Sequence, residues 1–308
     1  MISKGDKILF SIIALIVILL FVFWKDVKSL AGIKTEGEKD KKETKGKKSD
    51  KKSNKDNGDK IVSEVSILQK WDLPADLKEV SGIAFIDEQR FACVQDEAGT
   101  IFIFNRATNK IEKEIPFAGT GDYEDITVKG NIAYVMRADG RIYEVDMNAG
   151  KSSVKEYNTP LTAEHNVEGL CYDKNNDRLL LAIKDNEPGN PGYKGIYAFD
   201  LSKKAFIKEP VFKIDLQNEV LNTSQNKKNK SIMPSAIAIH PLTNEIFITD
   251  GPQARLLIMD KSGNIKKLVQ LGKDFSQPEG ITFSSQGEIF ISNEGTKRPG
   301  NILKIEMQ

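Results

Sequence analysis

The chain has 308 residues, with 45 Lys and Arg against 44 Asp and Glu. That balance gives no whole-protein field to draw in nucleic acid. Its two cysteines, Cys93 and Cys171, sit inside separate apolar runs; they are too few for a cysteine-based metal cluster and read as buried small hydrophobes rather than a disulfide or a reactive thiol.

Residues 1–7 form a short tail, and residues 8–24 are one apolar run bracketed by Lys7 and Lys25. Its 17 residues stand at the short edge of a transmembrane helix, for which about 20 is usual. Interfacial Trp24 and snorkelling lysines extend its reach. The run is longer than the apolar region of a signal peptide, only a weak Ser29-Leu-Ala31 cleavage site follows, and no cysteine follows for lipid attachment. The expectation is an uncleaved signal anchor. Lys25, Lys28 and Lys34 oppose Lys4, Lys7 and the terminal amine in the charge rule, and the shortness of the leading tail decides for a cytoplasmic N-terminus. The chain is thus expected to be a single-pass protein of the cell membrane, with its main domain in the cell envelope on the extracytoplasmic (periplasmic) side.

Residues 25–60 are a Lys-rich stretch. Between 34 and 60, 11 Lys mix with seven acidic residues and almost no apolar side chain. Such a segment cannot bury enough surface to offset its ordering entropy, so it reads as a disordered tether. A solvated spacer is the first reading, and contact with anionic lipid heads or wall polymer the second. Without interleaved aromatics it offers nothing to nucleic acid. Because Lys is concentrated here, the rest of the chain carries an acidic excess.

Residues 61–308 repeat themselves. Five strand openings recur: Glu79-Val-Ser-Gly-Ile83, Tyr123-Glu-Asp-Ile126, Val167-Glu-Gly-Leu170, Pro234-Ser-Ala-Ile237 and Pro278-Glu-Gly-Ile281. Each is followed by a second apolar run that ends in a polar elbow, then a third strand and, in four copies, an alternating outer strand. Aligned on Glu79, Glu124, Glu168, Ser235 and Glu279, the copies are separated by 45, 44, 67 and 44 residues. A period of 40–50 residues with several strands each predicts an all-β fold, a β-propeller of five four-stranded blades; six, one of them degenerate, is the alternative. The last copy lacks an outer strand, and residues 62–68 precede the first copy without a blade of their own, so they are expected to complete the last blade and close the ring. The long interval is assigned to a polar surface loop at 217–231.

Inner strands of a propeller line its channel. Glu79, Glu124, Glu168 and Glu279 are therefore expected at one mouth, and aligning the second strands by their apolar runs adds Asp96, Arg137, Lys184, Asp250 and Asn293. Arg137 and Lys184 are expected to pair with Glu124 and Glu168. Glu79, Asp96, Asp250, Glu279 and Asn293 come from copies that become neighbours on closure, and they form an oxygen-rich sector suited to a hard cation, with Ca²⁺ as the candidate cofactor. The competing reading is a water-filled channel whose polar groups are solvated or hold turns. His165 is a candidate for the channel mouth and His240 a turn residue. No Gly-x-Ser-x-Gly elbow or phosphate loop is present.

These openings, with Asp250-Gly-Pro252 and Ser292-Asn-Glu294, resemble the SdiA-regulated family of bacteria over residues 65–307. The resemblance implies an envelope-associated propeller behind an N-terminal hydrophobic segment, and no particular reaction. More distantly, the Glu-Gly strands look like NHL and gluconolactonase-type propellers. That likeness implies a divalent cation held by Glu279, Asn293 and Asp250, from which Arg137 and Lys184 are a departure. The first expectation is a membrane-anchored module that binds or scaffolds a protein or small molecule at the propeller face. The alternative is a metal-dependent lactonase or esterase, with His165 or Glu168 as its base.

Overall fold

Strands that are apolar on both faces need a packing partner on each side, and a radial array of sheets supplies two. The computed structural model describes residues 64–149, 153–185, 187–223 and 231–308. The apolar run at 8–24 and the tether at 25–60 lie outside the described residues. Among the described residues, no helix is long and apolar enough to cross a membrane.

Among the described residues, twenty strands form five four-stranded antiparallel sheets. Strand β1 (Val65–Asp72) comes first. Blade 1 is β2 (Val80–Phe85), β3 (Arg90–Gln95), β4 (Thr100–Asn105) and β5 (Lys110–Pro116). Blade 2 is β6 (Tyr123–Lys129), β7 (Ile132–Arg137), β8 (Ile142–Asp146) and β9 (Lys155–Tyr157). Blade 3 is β10 (Val167–Asp173), β11 (Arg178–Ile183), β12 (Tyr193–Asp200) and β13 (Ala205–Asp215). Blade 4 is β14 (Pro234–Ile239), β15 (Ile246–Asp250), β16 (Arg255–Met259) and β17 (Ile265–Gln270). Blade 5 is β18 (Pro278–Phe283), β19 (Ile289–Asn293) and β20 (Asn301–Met307), with β1 as its outer strand. The fold is a five-bladed propeller, and β1 pairs with β20 from Val65–Met307 to Asp72–Asn301.

There is one apolar core per blade interface. Along β3, Phe91 and Cys93 face blade 5, while Ala92 and Val94 face blade 2. Both cysteines are free and buried in such interfaces. The excess length between blades 3 and 4 is not all surface loop. A short 3₁₀ turn, Glu219–Thr223, inserts Leu221, which joins Ile232 in the core between those blades.

Three arrangements shape the centre. Five aliphatic side chains at one register, Ile83, Ile126, Leu170, Ile237 and Ile281, are each buried in a different blade interface, and all five border one cavity of about 180 Å³. Small residues let the inner strands approach: a Cβ on Gly82 would stand 2.5 Å from Asp125 Oδ1, and one on Gly280 3.0 Å from the Ile83 nitrogen. Side chains then cross-link the strands. Asp125 Oδ2 accepts the Leu170 N–H at 2.7 Å, Thr127 Oγ1 that of Tyr172 at 3.1 Å, and Thr282 Oγ1 that of Phe85 at 3.0 Å.

Closure is reinforced by aromatic packing. Trp71 of β1 is 7% exposed and lies 6.2 Å, centroid to centroid, from Phe290, which in turn stands 5.0 Å from Phe91 of blade 1. Arg106 covers Trp71 and Phe290 at 5.3 Å each. Trp71→Ala is expected to destabilise the domain by about 3–5 kcal/mol. The measurement is the urea midpoint, with amide exchange in β20 accelerating more than in β10 because the lost contact belongs to the closing sheet.

Candidate functional site

Each inner strand carries one extra residue against its neighbour. The pairing shifts between Val80 and Gly82, Tyr123 and Asp125, Val167 and Gly169, Pro234 and Ala236, and Pro278 and Gly280. The inserted residues are Ser81, Glu124, Glu168, Ser235 and Glu279. A bulge turns its side chain away from the regular alternation of the strand. Here it delivers carboxylates to the mouth of the channel instead of into an apolar interface.

This register corrects the alignment drawn from the sequence. The blade 1 equivalent of Glu124, Glu168 and Glu279 is Ser81, as the run Ser81-Gly82-Ile83 shows once set against Glu168-Gly169-Leu170. Glu79 lies two residues earlier, exposed, and reaches the same mouth from the preceding turn. The second ring also mixes two registers. The residues opposite the strand openings are Gln95, Arg137, Ile183, Asp250 and Asn293. Asp96 and Lys184 lie one residue further on, with Glu294 as their blade 5 counterpart. A slip of one residue exchanges faces, so Asp96, Lys184 and Glu294 line the mouth while Arg137, Asp250 and Asn293 do not.

The excluded three serve the blades. Asp250 and Asn293 are 0% exposed. Asp250 Oδ2 accepts both Nε (2.9 Å) and Nη2 (2.5 Å) of Arg255 across the β15–β16 pair, and Arg255 Nη2 also donates to the Ser231 carbonyl at 2.6 Å. The oxygen-rich sector expected to hold Ca²⁺ therefore already contains a guanidinium, that of Arg255. Asn293 donates to Asn301 Oδ1 at 3.1 Å across β19–β20. Arg137 pairs with Asp139 at 2.9 Å and not with Glu124, whereas Lys184 does pair with Glu168, at 2.7 Å.

The cavity so formed has a volume of about 190 Å³. Blade 1 contributes Ser81 and Asp96, with Glu79 before it. Asp122 and Glu124 come from blade 2, Glu168 and Lys184 from blade 3, and Gln277, Glu279 and Glu294 from blade 5. Blade 4 gives no lining side chain: Ser235 Oγ turns to the Pro278 carbonyl at 2.6 Å and to Thr249 Oγ1 at 3.0 Å. Seven carboxylates thus surround one ammonium. Glu294, Asp122, Gln277 and Ser81 were missed from the sequence, although register counting from the small residue after each bulge locates Ser81.

The electrostatics follow from that crowding. Burial, then the charges of Glu168 and Asp122, push the Glu124 carboxyl up to about 9. Burial pushes Glu168 up to about 7, against the pull of Lys184. Glu279 is raised by burial, Asp96 by burial and by Glu79, and Glu294 by burial and by Glu79 and Asp96. Burial works against the charge of Lys184, but Glu168, Glu279 and Glu124 outweigh it and hold its amine above the ordinary range. The turn carrying Lys184 is fixed by Lys194, 2% exposed, whose ammonium donates to the carbonyls of Lys184 and Asp185.

The chemistry open to this arrangement is cation binding under partial protonation. A preformed metal centre is not assembled: among the described residues, no group of three or more His, Cys, Asp or Glu is disposed to hold an ion. The Glu279, Asn293 and Asp250 set drawn from the lactonase likeness fails because Asp250 is committed to Arg255. His165 does not line the cavity, and its Nδ1 accepts from the Thr162 N–H of its own loop at 3.1 Å. His240 Nδ1 likewise holds the turn after β14.

Comparison with solved structures returns propellers. Glutaminyl cyclase from Myxococcus xanthus aligns with a TM-score of 0.51 at 13% identity, over 79% of this chain and 96% of that one. Selenomethionine-substituted virginiamycin B lyase from Staphylococcus aureus aligns at 0.43 and 17% identity, over 77% and 73%. At 13% identity the likeness to the glutaminyl cyclase speaks to the fold alone. No curated protein sequence matches. The family model described as SdiA-regulated matches residues 65–294, three quarters of the chain, and the chain belongs to that family.

Proposed function

We propose that this protein is a membrane-anchored, extracytoplasmic binding module that takes a cationic ligand at the acidic mouth of its propeller. The observation that carries the reading is the half-open cavity lined by seven carboxylates and a single ammonium, that of Lys184, which is ion-paired to Glu168. Lys184 already occupies part of the field that a ligand would neutralise, and the protonated carboxyls exchange a proton for the incoming charge. An organic ammonium suits the cavity better than a bare metal, because it needs several weakly directional carboxylates and no fixed coordination shell. Ca²⁺ is the second candidate, favoured by Asp96 Oδ1, which is buried and accepts no hydrogen bond.

Calorimetry and thermal melts with ethanolamine, and with Ca²⁺ against EDTA, test this. Glu168→Gln is expected to weaken binding about tenfold, or about 1.4 kcal/mol, and Lys184→Met to tighten it by a similar factor. Absence of binding by both cations sinks the proposal, and a Ca²⁺-only response assigns the site to the metal.

Affinity is expected to rise with pH through the range from about 7 to about 9, where Glu168 and Glu124 lose their protons. Folding has the opposite slope. Both carboxyls titrate higher folded than unfolded, so the native state keeps protons that the unfolded chain releases above about 4.5, and stability falls as pH rises from there through about 9. Denaturant melts across this range should show that decline, and Glu124→Gln should flatten it.

For topology, trypsin added to spheroplasts, in which the cytoplasmic membrane alone is intact, is expected to cut the Lys-rich segment at 25–60 and release the propeller. Protection until the cytoplasm is opened would reverse the orientation.

A further inference from the structure

A second cavity, about 750 Å³, opens beside the acidic one on the blade 5 side, and Glu294 lines both. Its walls set basic side chains beside two carboxylates, Asp274 and Glu294. Lys273, Lys297 and Arg298 stand around it, all exposed, and no ion pair joins them to a carboxylate among the described residues. A fourth cation, Lys70, is already balanced by Asp72 at 2.8 Å. The segment carrying Lys297 and Arg298 is held at both ends. The Glu294 N–H donates to the Gln277 carbonyl at 3.0 Å, the Gly295 N–H to that of Lys78 at 2.8 Å, and the Gly300 carbonyl accepts from Leu73 at 2.7 Å. The basic wall is thus fixed against the same turn that supplies Glu79 to the acidic cavity.

We infer that the two cavities form one bipolar site for a small zwitterion carrying both an ammonium and a phosphate. This rests on the cation reading above and adds the ligand's second charge. Its ammonium enters the carboxylate mouth on the blade 5 side, beside Glu279 and Glu294, within the field of Glu124 and Glu168, and its phosphate lies against Lys273, Lys297 and Arg298. Three cations against Asp274 and Glu294 leave this side net positive, which fits the charge and the several acceptor oxygens of a phosphate better than a single carboxylate. Glu294, at the junction, neutralises the connecting region and disfavours a dianion lying across both cavities. The two ends reinforce each other because binding one fixes the other at high effective concentration.

Calorimetry on the full-length chain tests this with ethanolamine, inorganic phosphate, phosphoethanolamine and glycerophosphoethanolamine. Phosphoethanolamine is expected to bind at least tenfold more tightly than ethanolamine or phosphate alone. The triple variant Lys273→Ala, Lys297→Ala, Arg298→Ala, on exposed positions, should remove that gain and leave ethanolamine binding unchanged. Glu168→Gln should weaken both amines. Preference for the monoester assigns a soluble amino-phosphate, and preference for the diester a lipid headgroup or phosphodiester-linked polymer. Equal affinity for ethanolamine and both phosphate-bearing amines overturns the bipolar site and leaves the cation reading intact. A phosphate gain that survives in the triple variant also overturns it. No binding by any amine overturns both.

Discussion

The site depends on one extra residue in each inner strand. In regular register, a glutamate at these positions would face a neighbouring blade across an apolar interface, at a cost of several kcal/mol unless paired. The bulge removes that conflict by turning Glu124, Glu168 and Glu279 to the mouth. The residue that follows is small, or in blade 2 is Asp125, whose carboxylate is itself consumed by backbone N–H groups. Strand approach, blade cross-linking and an acidic mouth thus come from two adjacent positions repeated around a ring.

Closure and electrostatics oppose each other. Glu79 and Asp96 near the start of the domain meet Glu279 and Glu294 near its end only because β1 completes blade 5. The repulsion among these groups is met partly by Lys184 and partly by retained protons. It is outweighed by the Trp71, Phe91 and Phe290 packing and by the β1–β20 ladder. The same seam therefore contains the domain's aromatic closure and part of its charge crowding.

The repeat, the blade number and the closing strand were readable from residues because each rests on a period or a missing element, and neither is sensitive to a shift of one residue. The site is sensitive to that shift. The acidic side chain of Glu79 stands two positions upstream of the small residue that marks the bulge, so an alignment by charge selects it in place of Ser81. Alignment by apolar runs puts Arg137, Asp250 and Asn293 in the channel because those runs end at different points in different blades: Ile183 prolongs β11, while Asp250 and Asn293 end β15 and β19. Arg255 lay in plain view five residues after Asp250, but only the β15–β16 pairing makes them partners. Lys194 gave no signal, since a lysine at the start of a strand normally reads as solvated. Leu221 was hidden in an otherwise polar stretch.

Blade 4 breaks the symmetry of the mouth. Its bulge residue, Ser235, spends its hydroxyl on Thr249 and the Pro278 carbonyl, leaving that sector without an acid. A pseudo-fivefold frame with four acidic sectors and a lone lysine in one of them has no mirror plane. Mirror-image amines would meet different surroundings there, so the fold carries the means for stereochemical discrimination before any loop is added.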